Sequence, residues 1–146
     1  MSTTPPGRSD QAGRIVVIDD SWTILEQIKQ TLNACGYDVR TTTGADVAAR
    51  LVRTADLAIV DFHMPGMNGT EVLAELRKAA PREGCCLFYL YTSDRDEAAR
   101  YAEHGFDGAF LRKGEEAALV PQVDAVFRTV RMRSLAERMR RARSTA

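Results

Sequence analysis

Residues 56–69 read DLAIVDFHMPGMNG: an unbroken apolar run, a carboxylate, and then a stretch rich in Pro, Gly and Asn. The run over 56–60 has no polar alternation and is too short for a buried helix. It therefore reads as a strand covered on both faces, the kind found inside a parallel sheet. Its carboxyl end delivers Asp61 into the loop HMPGMNG.

The same pattern recurs outward from there. Arg14–Ile18 (RIVVI) is a second buried strand, followed by Asp19, Asp20 and Ser21, which carry helix-capping chemistry. Ile24, Leu25, Ile28 and Leu32 repeat at helical spacing, and Gly36 closes that helix. Residues 37–42 alternate as a strand and 45–52 form a short helix. On the carboxyl side, 71–78 is helical, with Val72, Leu73 and Leu76 on one face. CCLFYLY over 85–91 is the most apolar run and reads as a central strand. A polar helix over 93–103, a short strand over 108–111 and a helix from Glu115 onward complete the chain. Strands alternating with helices imply right-handed βαβ units. The expected fold is α/β, a doubly wound five-stranded parallel sheet with helices on both faces.

The 146 residues and 45% apolar content suit one domain. We expect a disordered leader over 1–13, the domain over 14–130 and a basic helical extension over 131–146. Acidic and basic residues balance at 20 each, so nucleic acid is not an expected partner. That balance conceals an asymmetry. From Arg128 onward there are seven arginines against one acid, Glu137, a charge of +6, which leaves −6 on the rest. Cys35, Cys85 and Cys86 are odd in number and two are adjacent, so they read as buried or half-buried free thiols in a reducing compartment. With no apolar stretch of membrane-spanning length and no signal-peptide pattern, a cytoplasmic location is expected.

In a doubly wound sheet, function gathers at the carboxyl ends of the strands. Those ends carry Asp19 and Asp20, Asp61, Thr92 and Ser93, and Arg112 and Lys113. Clustered carboxylates repel unless a cation intervenes, and a few carboxylate oxygens with water and a carbonyl suit Mg²⁺. A metal-neutralised Asp61 could attack an electrophilic phosphorus. A lysine ammonium and a hydroxyl would suit the transferring phosphoryl group. Taken singly, an Asp-Asp pair after a strand is ordinarily a helix N-cap, and a strand-end lysine is ordinarily solvated. Their coincidence at four strand ends is what points to chemistry.

The motifs IVVIDDS, LAIVDFHMPGMNG, LYTS and AFLRKG, in that order and spacing, resemble the receiver domains of two-component response regulators, over about residues 14–130. The resemblance implies a flavodoxin-like receiver fold of the single-domain, chemotaxis-regulator-like kind. It implies that Asp61 accepts phosphate from a histidine kinase, and that Asp20, Asp61 and the His63 backbone carbonyl hold Mg²⁺, with Asp19 acting through water. Thr92 and Lys113 would bind the phosphoryl group, and Phe110, with Thr92, would be the switch, turning inward on phosphorylation. Gly66 and Gly69 match turn residues of the family. His63 and Asp94 stand where the family gates water access to the acyl phosphate. The family usually has proline after the lysine, often through a cis bond. Here Gly114 follows Lys113, so a trans or mobile link and a less rigidly aimed Lys113 are expected.

The expected output is partner binding by an unidentified protein, with homodimerisation through the helix 4–strand 5–helix 5 face. No catalysis is expected beyond self-phosphorylation from small phosphodonors and autodephosphorylation. Alternatives are a receiver fragment of a longer transcriptional regulator and an aspartyl-phosphate phosphatase of the haloacid-dehalogenase type. The latter needs a second Asp two residues after its nucleophile, whereas Asp19 and Asp20 are adjacent. Beyond Val130 the apolar positions Met132, Leu135 and Met139 keep helical spacing, which reads as a slightly rotated continuation of the last helix. Its arginines suit a solvated tail or a docking helix for an acidic partner or a neighbouring protomer.

Overall fold

The computed structural model describes residues 13–61, 63–64, 67–80 and 86–144, with the backbone alone at 63, 64, 67 and 68. The leader up to residue 12, Gly66 and Cys85 lie outside the described residues. The strands are β1 (Arg14–Ile18), β2 (Asp38–Thr42), β3 (Leu57–Asp61), β4 (Leu87–Tyr91) and β5 (Gly108–Phe110), all parallel, in the order β2-β1-β3-β4-β5. The helices are α1 (Trp22–Ala34), α2 (Ala45–Leu51, running into a 3₁₀ turn Val52–Thr54), α3 (Gly69–Ala79), α4 (Arg95–Ala99) and α5 (Glu116–Ser144).

Strand alternation sends the sheet's side chains to two half-cores. Ile15, Val17, Leu57 and Ile59 pack with Leu25, Ile28 and Leu32 of α1 and with Leu119, Val123, Val126 and Phe127 of α5. Val16, Ile18, Ala58 and Val60 pack on the other face with Ala48 of α2 and Val72, Leu73 and Leu76 of α3. Each fully buried Leu or Ile contributes roughly 1.5–3 kcal/mol. Burial of Leu25, Ile28 and Leu32 thus holds the start of α1 at the carboxyl end of β1. Ser21 caps that helix, its hydroxyl accepting from the Ile24 N–H at 3.4 Å. Gly36, at φ +95°, ends it in a backbone conformation that side-chain-bearing residues avoid.

Several elements differ in detail from the sequence reading. The loop after Asp61 contains a two-residue antiparallel ladder, His63–Met64 against Met67–Asn68. The polar helix expected over 93–103 is regular only over Arg95–Ala99. It buries a single side chain, Ala98, and the chain then turns through Gly105 (φ +90°) to bury Phe106. With so little apolar anchorage, packing of Phe106 outweighs helix continuation. Cys35 is exposed at the end of α1 rather than buried, while Cys86 is buried.

The last helix is unbroken over 29 residues, about 43 Å at 1.5 Å per residue. Its second apolar set is not a slight rotation of the first. At 100° per residue, Met132, Leu135 and Met139 centre about 170° from the core-facing Leu119, Val123, Val126 and Phe127, on the opposite side of the helix.

Candidate functional site

Strand register brings the site together. Ile18 pairs with Val60, so Asp19 leaves β1 level with Asp61, and Asp61 in turn pairs with Tyr91, which pairs with Phe110. β1 and β3 flank the point where chain order reverses across the sheet, the usual location of a binding crevice. Asp19 and Asp61 are buried there and Asp20 is exposed. A carboxylate oxygen from each of the three lies within 4.8 Å of the other two.

Two of these carboxylates share one cation. The Lys113 ammonium donates to Asp61 Oδ1 at 2.9 Å and pairs with Asp19 Oδ2 at 2.9 Å. Burial pulls the lysine pKa down, but the two carboxylates outweigh it, and the net direction is upward. The other Asp19 oxygen accepts from the Ser21 N–H at 2.9 Å, so α1's first turn orients this carboxylate. The ammonium also lies 5.9 Å from the centre of the Tyr91 ring.

The approach of Lys113 depends on local backbone geometry. Arg112 at φ +64° and Gly114 at φ +98° flank it, two left-handed positions that fold the segment after β5 back over the pocket. Gln122 of α5 secures that turn: its amide oxygen accepts from the Leu111 N–H at 2.8 Å and its amide nitrogen donates to the Leu111 carbonyl at 3.0 Å. No described peptide bond is cis, as expected for Lys113–Gly114. After Gly114, two ion pairs and the Gln122 clamp give Lys113 defined contacts in this structure.

Thr92 is buried one residue past β4. Its hydroxyl accepts from the Asp94 N–H at 3.1 Å and donates to Glu97 Oε2 at 3.4 Å. Asp94 caps α4, accepting from the Asp96 and Glu97 N–H groups. Phe110 is 1% exposed and stacks on Tyr89 with ring centroids 4.6 Å apart. The ring is therefore inward in this structure. His63 contributes its backbone to the small ladder, opposite Asn68.

The structure thus gathers Asp19, Asp20, Asp61 and Lys113 into one cluster, with Thr92 and Phe110 on the neighbouring strand ends. The sequence reading passed over Glu97, Gln122 and Tyr91. Glu97 was accessible, since Asp94-x-x-Glu97 is the capping-box spacing. Gln122 and Tyr91 carried no local signal, because their roles arise from contacts between β5, α5 and β4.

A sequence profile described as the response regulator receiver domain matches residues 15–124. Among curated relatives, the alginate biosynthesis transcriptional regulatory protein AlgB of Pseudomonas aeruginosa is 36% identical over 83 residues, 56% of this chain and 18% of that protein. The virulence sensor protein BvgS of Bordetella bronchiseptica is 31% identical over 125 residues, 75% of this chain and 10% of that protein. The chain therefore spans less than a fifth of the length of either. Among solved structures, the response regulator TrrA of Thermotoga maritima, in complex with Mg²⁺-BeF, is 27% identical with a TM-score of 0.64, covering 77% of this chain and 97% of that one. The chemotaxis protein CheY4 of Vibrio cholerae shares the fold at 18% identity, with a TM-score of 0.62 over 79% of this chain and 98% of that one.

Proposed function

We propose, since the chain belongs to the response regulator receiver domain family, that it is a phosphorylation-controlled signalling switch accepting a phosphoryl group from a histidine kinase on Asp61. The observation that carries this reading is the Lys113 ammonium at 2.9 Å from both Asp19 and Asp61. It counters two buried carboxylates now and can follow the charge when phosphate arrives. A carboxylate oxygen of Asp61 attacks the phosphorus of a phosphohistidine. The new P–O bond forms as the P–N bond breaks, and the imidazole leaves with that electron pair.

Three carboxylate oxygens within 4.8 Å form a hard-oxygen donor set that fits Mg²⁺. Asp20, Asp61 and the His63 backbone carbonyl would hold the ion, with Asp19 acting through water. When bound, it supplies neutralising charge to the entering phosphoryl group. Lys113 and the Thr92 hydroxyl bind phosphoryl oxygens. Moving that hydroxyl withdraws it from Glu97 and the Asp94 N–H, which loosens the first turn of α4. α4 buries only Ala98, so little packing holds it, and a ligand that favours another arrangement could shift it. The signal then reaches the α4–β5–α5 face, where an unidentified output protein or a second copy docks. Residues 14–130 form this unit, 131–146 are its basic extension, and it works in the cytoplasm. Among the described residues, no helix is long and apolar enough to cross a membrane.

A second reading, that the chain is one module of a longer regulator, is favoured by its covering 18% of AlgB and 10% of BvgS. Both readings share the switch. Hydrogen exchange at the Asp96 and Glu97 amides, with and without acetyl phosphate and Mg²⁺, tests it. Exchange should quicken in the native chain and stay unchanged in Asp61→Asn; an equal response in both would refute the coupling.

A further inference from the structure

Every residue from Arg131 to Ser144 is exposed, yet the segment is helical and carries Met132, Leu135 and Met139 at 68%, 53% and 51% exposure. As the continuation of a packed helix it needs no nucleus of its own, yet it lacks the tertiary packing that ordinarily supplies most of a helix's stability. The chain's own core cannot provide it, because these side chains point about 170° away from the core-facing stripe of α5.

The exposed face has its own order. Ala125, Arg128, Met132, Leu135, Met139 and Ala142 follow one another in alternating steps of three and four, the seam of a two-stranded coiled coil. A shallow groove lined by Ala125, Thr129, Met132 and Ala136 runs along it, where small residues leave depth for incoming side chains. Arg131 and Arg138 border one side and Thr129, Ala136 and Arg143 the other, with Arg133 and Arg140 one step further out, while Glu137 lies on the far side of the helix.

We propose that this face is a docking seam for one acidic amphipathic helix of a partner protein, paired along residues 125–142. Charge selects the occupant. A second copy aligned in parallel would set Arg138 against Arg143 and Arg128 against itself in the seam. A membrane surface would favour a broader stripe with aromatic residues, and 128–144 contains none. Helix pairing here stands whether or not Asp61 is a phosphoacceptor.

The test uses the full chain and a synthetic helical peptide with Leu at seam positions and Glu at the flanks, beside a matched peptide with Lys at the flanks. Fluorescence anisotropy should show binding of the Glu peptide alone, weaker at high salt. Leu135→Asp and Met139→Asp should each weaken it roughly tenfold or more. Arg131→Glu with Arg138→Glu should shift preference toward the Lys peptide. All these sites are exposed, and an unchanged urea midpoint verifies the fold. Full binding by Leu135→Asp would overturn the proposal. So would a native dimer that Leu135→Asp dissolves, or capture by phosphatidylglycerol vesicles that displaces the peptide.

Discussion

Replacing Lys113 with Met should cost more stability than any surface change in the domain. The ammonium lies 2.9 Å from each of two carboxylates, and the side chains are 13%, 3% and 7% exposed for Lys113, Asp19 and Asp61. At an effective dielectric of about 20, each contact carries roughly 6 kcal/mol of raw attraction. Desolvation of the three charges cancels most of that in the native protein. The variant keeps the desolvated carboxylates and loses the cation between them, which sets the expected loss at about 3–5 kcal/mol. Met preserves most of the stem's packing, so the loss is electrostatic. Urea denaturation at pH 7 in chelator should show the midpoint falling by roughly 2 M. Mg²⁺ should restore more stability to the variant than to the native chain, because the ion meets no competing ammonium. A variant within about 0.5 kcal/mol of the native chain in chelator would refute the pairing.

Further outcomes follow from neighbouring groups. Burial, reinforced by Glu116, pushes the Tyr91 hydroxyl from its ordinary 10 up to about 12. A raised phenol pKa means stability that is present below pH 10 and lost between 10 and 12, by roughly 2–3 kcal/mol. Tyr91→Phe should flatten that decline. At pH 7 it should change stability by no more than about 1 kcal/mol, because the buried hydroxyl is at best poorly hydrogen-bonded. Gly108→Ala would put a Cβ 2.4 Å from Tyr89 Cε2, against a ring already stacked on Phe110. Thermal unfolding should show a loss of about 1–3 kcal/mol, and an unchanged midpoint would mean the ring yields freely. Asp20→Ala, at an exposed position, should leave the fold intact and weaken Mg²⁺ binding. The fluorescence of Trp22, 65% exposed two residues later, provides the titration signal, and unchanged affinity would remove Asp20 from the metal site.

Much of the framework was legible because burial on both faces leaves a mark that needs no partner to interpret. Arg14–Ile18 and Leu57–Asp61 show this, as does the Ser21 cap with Leu25, Ile28 and Leu32 behind it. The strand-end rule then carried Asp19, Asp61 and Lys113 to one edge. What escaped depends on contacts distant in the chain. Gly114 carries no sign that Gln122, eight residues further on, clamps the turn from α5. Phe110 carries no local sign of its rotamer, which its stacking on Tyr89 decides. The shortness of α4 follows from the burial of Phe106 rather than from any breaker within 93–103. On α5, the three-and-four spacing alone marks a helix but not the phase of its second apolar set. The step from Val130 to Met132 crosses to the other side of the helix, a distinction visible only when the angle is followed residue by residue.

The central claim is that Asp61 alone receives the phosphoryl group. Incubation of the native chain and Asp61→Asn with acetyl phosphate and Mg²⁺, followed by intact mass measurement and peptide mapping, tests it directly. One phosphoryl group per native chain is expected, mapped to Asp61, lost in chelator and absent from Asp61→Asn. Full labelling of Asp61→Asn, or a phosphoryl group mapped to any other residue, would contradict it.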